Sequence, residues 1–170
     1  MRQYRCVLEC IFGSAETPAV LFNEILDNAV DEITNGYATH ADVLINYDKN
    51  SYSIRDYGRG IPHGKKIVDD KEQEVVQTLI FKSHSGGKFD NNAYLASAGL
   101  HGVGITVTNA LSSSFEIETF RDKKSVKIIS QDEENKDYDF DQGKYFKLFY
   151  SNTEELNGTS VKFIPNKKYF

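Results

Sequence analysis

Four strand-like runs follow one another late in the chain: SFEIETF from Ser114, SVKIIS from Ser125, YFKLFY from Tyr145 and TSVKFI from Thr159. They are rich in β-branched and aromatic residues, and several alternate apolar with polar side chains, the pattern of a sheet with one buried face. No helical pattern separates them. The acidic stretch QDEENKDYDFDQ between the second and third reads as a solvated turn rather than a metal site. Two earlier runs, ADVLINYD and NSYSIRD, are joined through polar DKN and read as a hairpin. Helical spacing occurs only in the first two thirds, at residues 21–33, at 72–83 (EQEVVQTLIFKS) and from Val103 (VGITVTNALSS). Helices grouped in this way can cover one face of the sheet, and a doubly wound parallel sheet would need strands and helices to alternate regularly. The expected fold class is therefore an α/β (α+β) two-layer sandwich, its sheet mixed but mostly antiparallel, with helices on one face.

At 170 residues the chain suits one domain with a real core, and 39% hydrophobic with 26% charged residues is ordinary for a globular protein. A net charge of -5 without a dense basic stripe argues against this domain gripping a nucleic-acid backbone by itself. Cys6 and Cys10 lack a His or Cys cluster to complete a zinc site. The amino end has no long apolar segment and no run reaches the length of a membrane span, so a cytoplasmic location is expected.

The first helix carries the first chemical signal. At about 100° per residue, Leu21, Phe22, Ile25, Leu26, Ala29, Val30 and Ile33 form one broad apolar sector. Glu24, Asn28 and Glu32, spaced i, i+4, i+8, form a ladder that drifts from the edge of that sector into it, Glu32 falling between Leu21 and Ile25 in angle. A carboxylate there is partly desolvated. Either the chain satisfies these groups internally or a polar ligand does.

Three glycine-bearing loops follow. DYGRG, Asp56 to Gly60, closes a strand and is too short a pattern to discriminate alone. GLHGVG, Gly99 to Gly104, resembles a dinucleotide fingerprint but follows a polar loop where that fingerprint would follow a strand. It does precede a helix, where bare backbone N–H groups and the helix dipole suit a polyphosphate. GGK, ending at Lys88, lacks the P-loop spacing, and the glycine-dotted HSGGKFDNNAYLASAGLHG is long enough to be a functional lid.

Taken in order, NEILDNAVDE, RDYGRGIP, SHSGGKFDNNAY, GLHGVGITVTNALS and GTSVKFIP resemble the GHKL ATPase superfamily. More narrowly, they resemble the ATP-binding domain of the B-type subunits of bacterial type II topoisomerases, gyrase and topoisomerase IV. The resemblance runs from about Leu21 to Pro165, and HSGGKF and GLHGVG favour topoisomerases over the chaperone, mismatch-repair and histidine-kinase branches. It implies the Bergerat ATP-binding fold, ATP as ligand and Mg²⁺ as cofactor. On that resemblance Glu24 is the general base toward water attacking the γ-phosphate, and Asn28 the magnesium ligand. Glu32 pairs with Arg59 beneath the base, while Asp27 and Asp31 are structural or solvent-facing. Asp56 is the adenine reader, joined by the Thr159 hydroxyl. Gly58 and Gly60 admit the ring, and Arg59, Ile61 and Pro62 wall it. Gly99, Leu100, His101, Gly102, Val103 and Gly104 cradle the phosphates, Lys88 and Tyr94 belong to the lid, and Arg121 lies outside the adenine pocket.

The expected organisation is a single ATP-binding domain over 1–170, with a divergent amino-terminal segment at 1–20 and an ATP lid at 84–102; transducer, cleavage and DNA-binding domains are expected to be absent. Because the family's transducer supplies a lysine to the γ-phosphate, the domain alone is expected to bind ATP and hydrolyse it weakly. The implied partners are a second copy in the full-length subunit and a DNA-cleaving A-type subunit. DNA contacts would come from the full enzyme, no membrane is implied, and aminocoumarin-like compounds would compete for the pocket. Two departures stand out: Tyr57 occupies the place of a second acid in many relatives, and Ala98 that of a usual glycine. The alternatives are a non-hydrolysing nucleotide switch and a mismatch-repair or chaperone relative. Glu24 favours hydrolysis, since binding alone needs no base.

Overall fold

The computed structural model describes residues 17–68, 71–81, 104–131 and 145–170. Helix α1 (Ala19–Thr34) buries Leu21, Ile25, Ala29 and Glu32 along one line. That stripe is narrower than the sector read from the sequence: Val30 lies about 100° round from Ala29 and is 43% exposed. The helix ends in a Schellman cap. Gly36 takes φ +76°, its N–H donating to the Ile33 carbonyl at 2.9 Å while the Tyr37 N–H donates to that of Glu32 at 2.8 Å.

Six strands form one sheet: β1 (Ala41–Asn46), β2 (Ser51–Asp56), β5 (Ser112–Arg121), β6 (Lys124–Gln131), β7 (Tyr145–Asn152) and β8 (Gly158–Pro165). Their order is β1-β2-β8-β5-β6-β7, and every neighbouring pair is antiparallel. The sheet is thus wholly rather than mostly antiparallel among the described residues. The hairpin between β5 and β6 turns through Asp122 and Lys123, both at positive φ (52° and 60°), as a tight turn matched to strand twist requires. Alternate residues of the central strands, Ile54, Phe115, Ile117, Val126, Ile128, Val161 and Phe163, point to the helices and form the core with Leu21, Ile25 and Ala29. Full burial of Phe115 and Phe163 contributes roughly 2–3 kcal/mol each.

The helix expected from residue 72 starts later, because residues 65–68 and 71–74 form a second, two-stranded sheet. Strand β3 (Lys65–Val68) pairs antiparallel with β4 (Lys71–Glu74), and helix α2 starts only at Val75 and runs to Phe81. The mostly charged hairpin hides from a hydrophobicity pattern because electrostatics and backbone pairing replace apolar alternation. Lys65 bridges Glu72 at 2.9 Å, and buried Glu74 accepts hydrogen bonds from the Gly64 N–H at 2.5 Å and the Tyr150 hydroxyl at 3.0 Å. Burial and the facing carboxylate push the Tyr150 phenol up to about 12. Helix α3 (Gly104–Ala110) is buried over most of its length. Thr106 ties it to α2 by donating to the Leu79 carbonyl at 3.0 Å, and Ser112, at the start of β5, donates to the Thr108 carbonyl at 2.6 Å. No described helix is long and apolar enough to cross a membrane.

Candidate nucleotide-binding site

Strand β2 ends at Asp56, whose side chain turns to the helix-covered side because it shares the register of Ile54 and Tyr52. Only 7% of the residue is exposed. One main-chain donor holds it, the Gly58 N–H at 2.9 Å on Oδ1, and the main chain of Thr159 on neighbouring β8 lies near enough to favour its charge. Burial pushes the carboxyl above the ordinary aspartate value; the backbone groups of Gly58 and Thr159 pull against that rise, the Glu32 charge adds to it and Arg55 opposes it. The resemblance implies that the Thr159 hydroxyl joins Asp56. Thr159 Oγ1 is buried without a hydrogen-bond partner among the described residues. A buried hydroxyl in that state is a docking point for a polar group.

Glu32, near the carboxyl end of α1 and 5% exposed, grips the loop after Asp56 by three bonds. Oε2 accepts from the Arg59 main-chain N–H at 2.9 Å and from Nε at 3.2 Å, while Oε1 accepts from Nη2 at 2.6 Å. This two-pronged pairing fixes the guanidinium plane. It also explains Gly58, since a Cβ there would collide with Glu32 Oε2. Gly60 answers to two constraints: it takes φ +70°, and a Cβ would strike the Phe120 carbonyl.

Toward its amino end, the same helix presents Asn28 and Glu24. Asn28 Nδ2 donates to the Glu24 carbonyl at 2.8 Å, which leaves the amide oxygen as an acceptor. The Glu24 carboxylate lies against Gly104, the first residue of α3, closely enough that a Cβ on Gly104 would collide with Oε2. Helix α1 therefore bridges two glycines: Gly58 abuts Glu32, and Gly104 abuts Glu24. Eight residues of helix separate these acids by about 12 Å. A ligand touching both loops must be elongated, with a polar group at the Asp56 end. Asp27 is exposed and Asp31 half-buried on the flanks.

The loop that follows Gly60 is tied to β5. Thr119 Oγ1 donates to the Ile61 carbonyl at 3.1 Å, Arg121 Nη1 to the Gly60 carbonyl at 3.3 Å, and His63 Nε2 lies 3.2 Å from the Arg121 carbonyl. Ile61 enters the core, Pro62 is half-buried, and Arg121 stands at the rim beside Asp122, Nε to Oδ2 at 3.7 Å. Lys88, Tyr94, Gly99, Leu100, His101, Gly102 and Val103 lie outside the described residues, as do Cys6, Cys10 and Ala98. The structure adds Thr119 and Tyr37, which no sequence motif marks. Tyr37 carries a usable signal, because Asn-Gly after a helical run announces a cap that returns the next residue over the last turn.

The histidine kinase-, DNA gyrase B- and HSP90-like ATPase family model matches residues 13–166. The B subunit of DNA topoisomerase 4 from Francisella tularensis subsp. holarctica is 39% identical over 160 residues, covering 94% of this chain and 24% of that protein. Among solved structures, the topoisomerase IV ATP-binding domain of Francisella tularensis in complex with a small-molecule inhibitor superposes with a TM-score of 0.69 at 33% identity, over 96% of this chain and 40% of the other. The 43K ATPase domain of Thermus thermophilus gyrase B in complex with an aminocoumarin gives 0.71 at 29% identity, over 99% and 40%. The chain spans about a quarter of the length of the curated relatives it matches. With the antiparallel sheet, the acid ladder of α1 and the match across residues 13–166 in agreement, this chain belongs to the histidine kinase-, DNA gyrase B- and HSP90-like ATPases.

Proposed function

We propose that the chain is the ATP-binding and hydrolysing domain of a type II topoisomerase B-type subunit of the gyrase and topoisomerase IV kind, working in the cytoplasm. The observation that carries this reading is the bridge made by α1, with a buried polar anchor at one end and a carboxylate against the glycine of a helix start at the other. The similarity to two inhibitor-bound topoisomerase ATPase structures supports it.

Asp56 accepts a hydrogen bond from the exocyclic amine of adenine, and its charge repels the carbonyl oxygen that guanine carries there. The unpartnered Thr159 hydroxyl supplies a second polar contact in the same place. Arg59, set by Glu32, walls the ring by stacking, with Ile61 and Pro62 as apolar wall. Residues 99–104 cradle the phosphates with main-chain N–H groups, and Lys88 and Tyr94 act from the lid. Glu24, half-buried beside Gly104, accepts the proton of a water aimed at the terminal phosphorus. The amide oxygen of Asn28 is a hard donor suited to Mg²⁺. When bound, the ion neutralises phosphate charge.

In the longer protein, nucleotide-driven pairing of two copies gates DNA passage through a DNA-cleaving A-type subunit. Arg121 at the rim meets competitive inhibitors of the aminocoumarin kind. The test is Glu24→Gln in the full-length protein. Nucleotide affinity should stay within about twofold while phosphate release falls about 10²–10⁴-fold, the usual worth of a general base. Undiminished hydrolysis removes Glu24 from the mechanism and favours the non-hydrolysing switch.

A further inference from the structure

We infer that Tyr37 is a positioning residue for nucleotide binding, acting through Arg59. The Arg59 guanidinium carbon sits 3.6 Å from the centre of the Tyr37 ring, close enough for a strong cation–π contact. The same guanidinium is held edge-on by both oxygens of Glu32. Edge and face are thereby fixed by different residues, and together they define its plane. Both restraints spring from one position in α1. Glu32 uses its side chain to grip Arg59 and its main-chain carbonyl to receive the N–H groups of Tyr37 and Ala38 at 2.8 and 3.0 Å. Gly36, at φ +76°, folds the chain back so that the aromatic residue after it lands on the arginine. Tyr37 is 48% exposed; its packing onto the core is slight, and its most specific contact is Arg59.

A ring placed over an arginine by a helix cap stiffens that arginine for whatever stacks or bonds next. The inference rests on the proposed nucleotide site, in which Arg59 walls the base. Removing the ring frees the guanidinium to tilt while Glu32 still neutralises it, so affinity falls without loss of the ion pair. The cap bonds are main-chain and survive substitution of Tyr37, and its exposure means truncation leaves no hole in the core.

The experiment is a double-mutant cycle read by calorimetric titration with a non-hydrolysable ATP analogue. Tyr37→Ala should weaken binding about three- to tenfold, the range of a partly exposed cation–π contact. Tyr37→Phe, which keeps the ring face, should stay within about twofold of the unsubstituted chain. In an Arg59→Lys background, where the planar fork is gone but Glu32 keeps a cationic partner, Tyr37→Ala should add less than about a twofold loss. Equal losses in both backgrounds, or Tyr37→Phe as weak as Tyr37→Ala, overturn the inference while leaving the nucleotide site standing. Failure of the unsubstituted chain to bind the analogue overturns the nucleotide reading and the inference with it.

Discussion

Replacing Asp56 with asparagine should weaken nucleotide binding and strengthen the empty fold, two effects of opposite sign from one nearly isosteric change. Asparagine keeps an oxygen for the Gly58 N–H, which Asp56 Oδ1 accepts at 2.9 Å, and so turns its NH₂ to the second oxygen's place. There a donor would meet the adenine amine, another donor. Losing a charge-assisted bond and leaving a buried donor unmet together cost about 2–4 kcal/mol, or roughly thirtyfold to several hundredfold in Kd. In the empty protein the sign reverses. Burial raises the Asp56 carboxyl above its ordinary value, so the folded state binds its proton more tightly than the unfolded chain does. Its ionisation opposes folding, with a penalty that is absent below the ordinary aspartate pKa of about 3.9 and grows as pH rises above it. Asp56→Asn removes that penalty. At pH 7 its urea midpoint should equal or exceed that of the unsubstituted chain, and the difference should vanish as the pH is lowered below about 3.9. Calorimetric titration with an ATP analogue gives the other half. Unchanged affinity, or affinity and stability falling together, would refute the reasoning, the second because Asp56 would then be a structural acid.

Gly104→Ala should lower phosphate release in the full-length protein by at least about tenfold while leaving analogue affinity nearly unchanged, because the new Cβ collides with Glu24 Oε2 and displaces the carboxylate; turnover and titration of the variant check it. Glu32→Gln should lower the unfolding free energy by about 1–3 kcal/mol in urea melts. It takes the carboxylate charge from beside a guanidinium that is 23% exposed, a smaller loss than for a fully buried pair.

Strands β5 to β8 are legible in the sequence because their inward residues, such as Phe115, Ile117, Val126 and Ile128, alternate with outward ones. Helix α1 is legible because Leu21, Ile25 and Ala29 keep the helical period. The β3–β4 hairpin is not, since Lys65, Glu72 and Glu74 hold it by charge and hydrogen bonding, which no hydrophobic period records. At the site, the angular position of Glu32 already places a carboxylate against the core, and the need for a partner follows from the cost of burying it. What it grips depends on how β2 ends over α1, a tertiary fact. The nearness of Thr159 to Asp56 depends on how β8 lies beside β2, which neither residue's local pattern reveals. Tyr37 lies beyond the periodic run, so its place over Arg59 follows from cap geometry alone.

In the proposed site, buried Asp56 reads adenine and the phosphates run toward Gly104. The most direct test is calorimetric titration of the chain with non-hydrolysable ATP and GTP analogues, each with and without magnesium. The ATP analogue should bind saturably and one-to-one, tightened by magnesium, with the GTP analogue weaker by at least about thirtyfold because guanine turns a carbonyl oxygen toward Asp56. Equal affinity for the two purines, or no binding of either, would contradict this reading of the site.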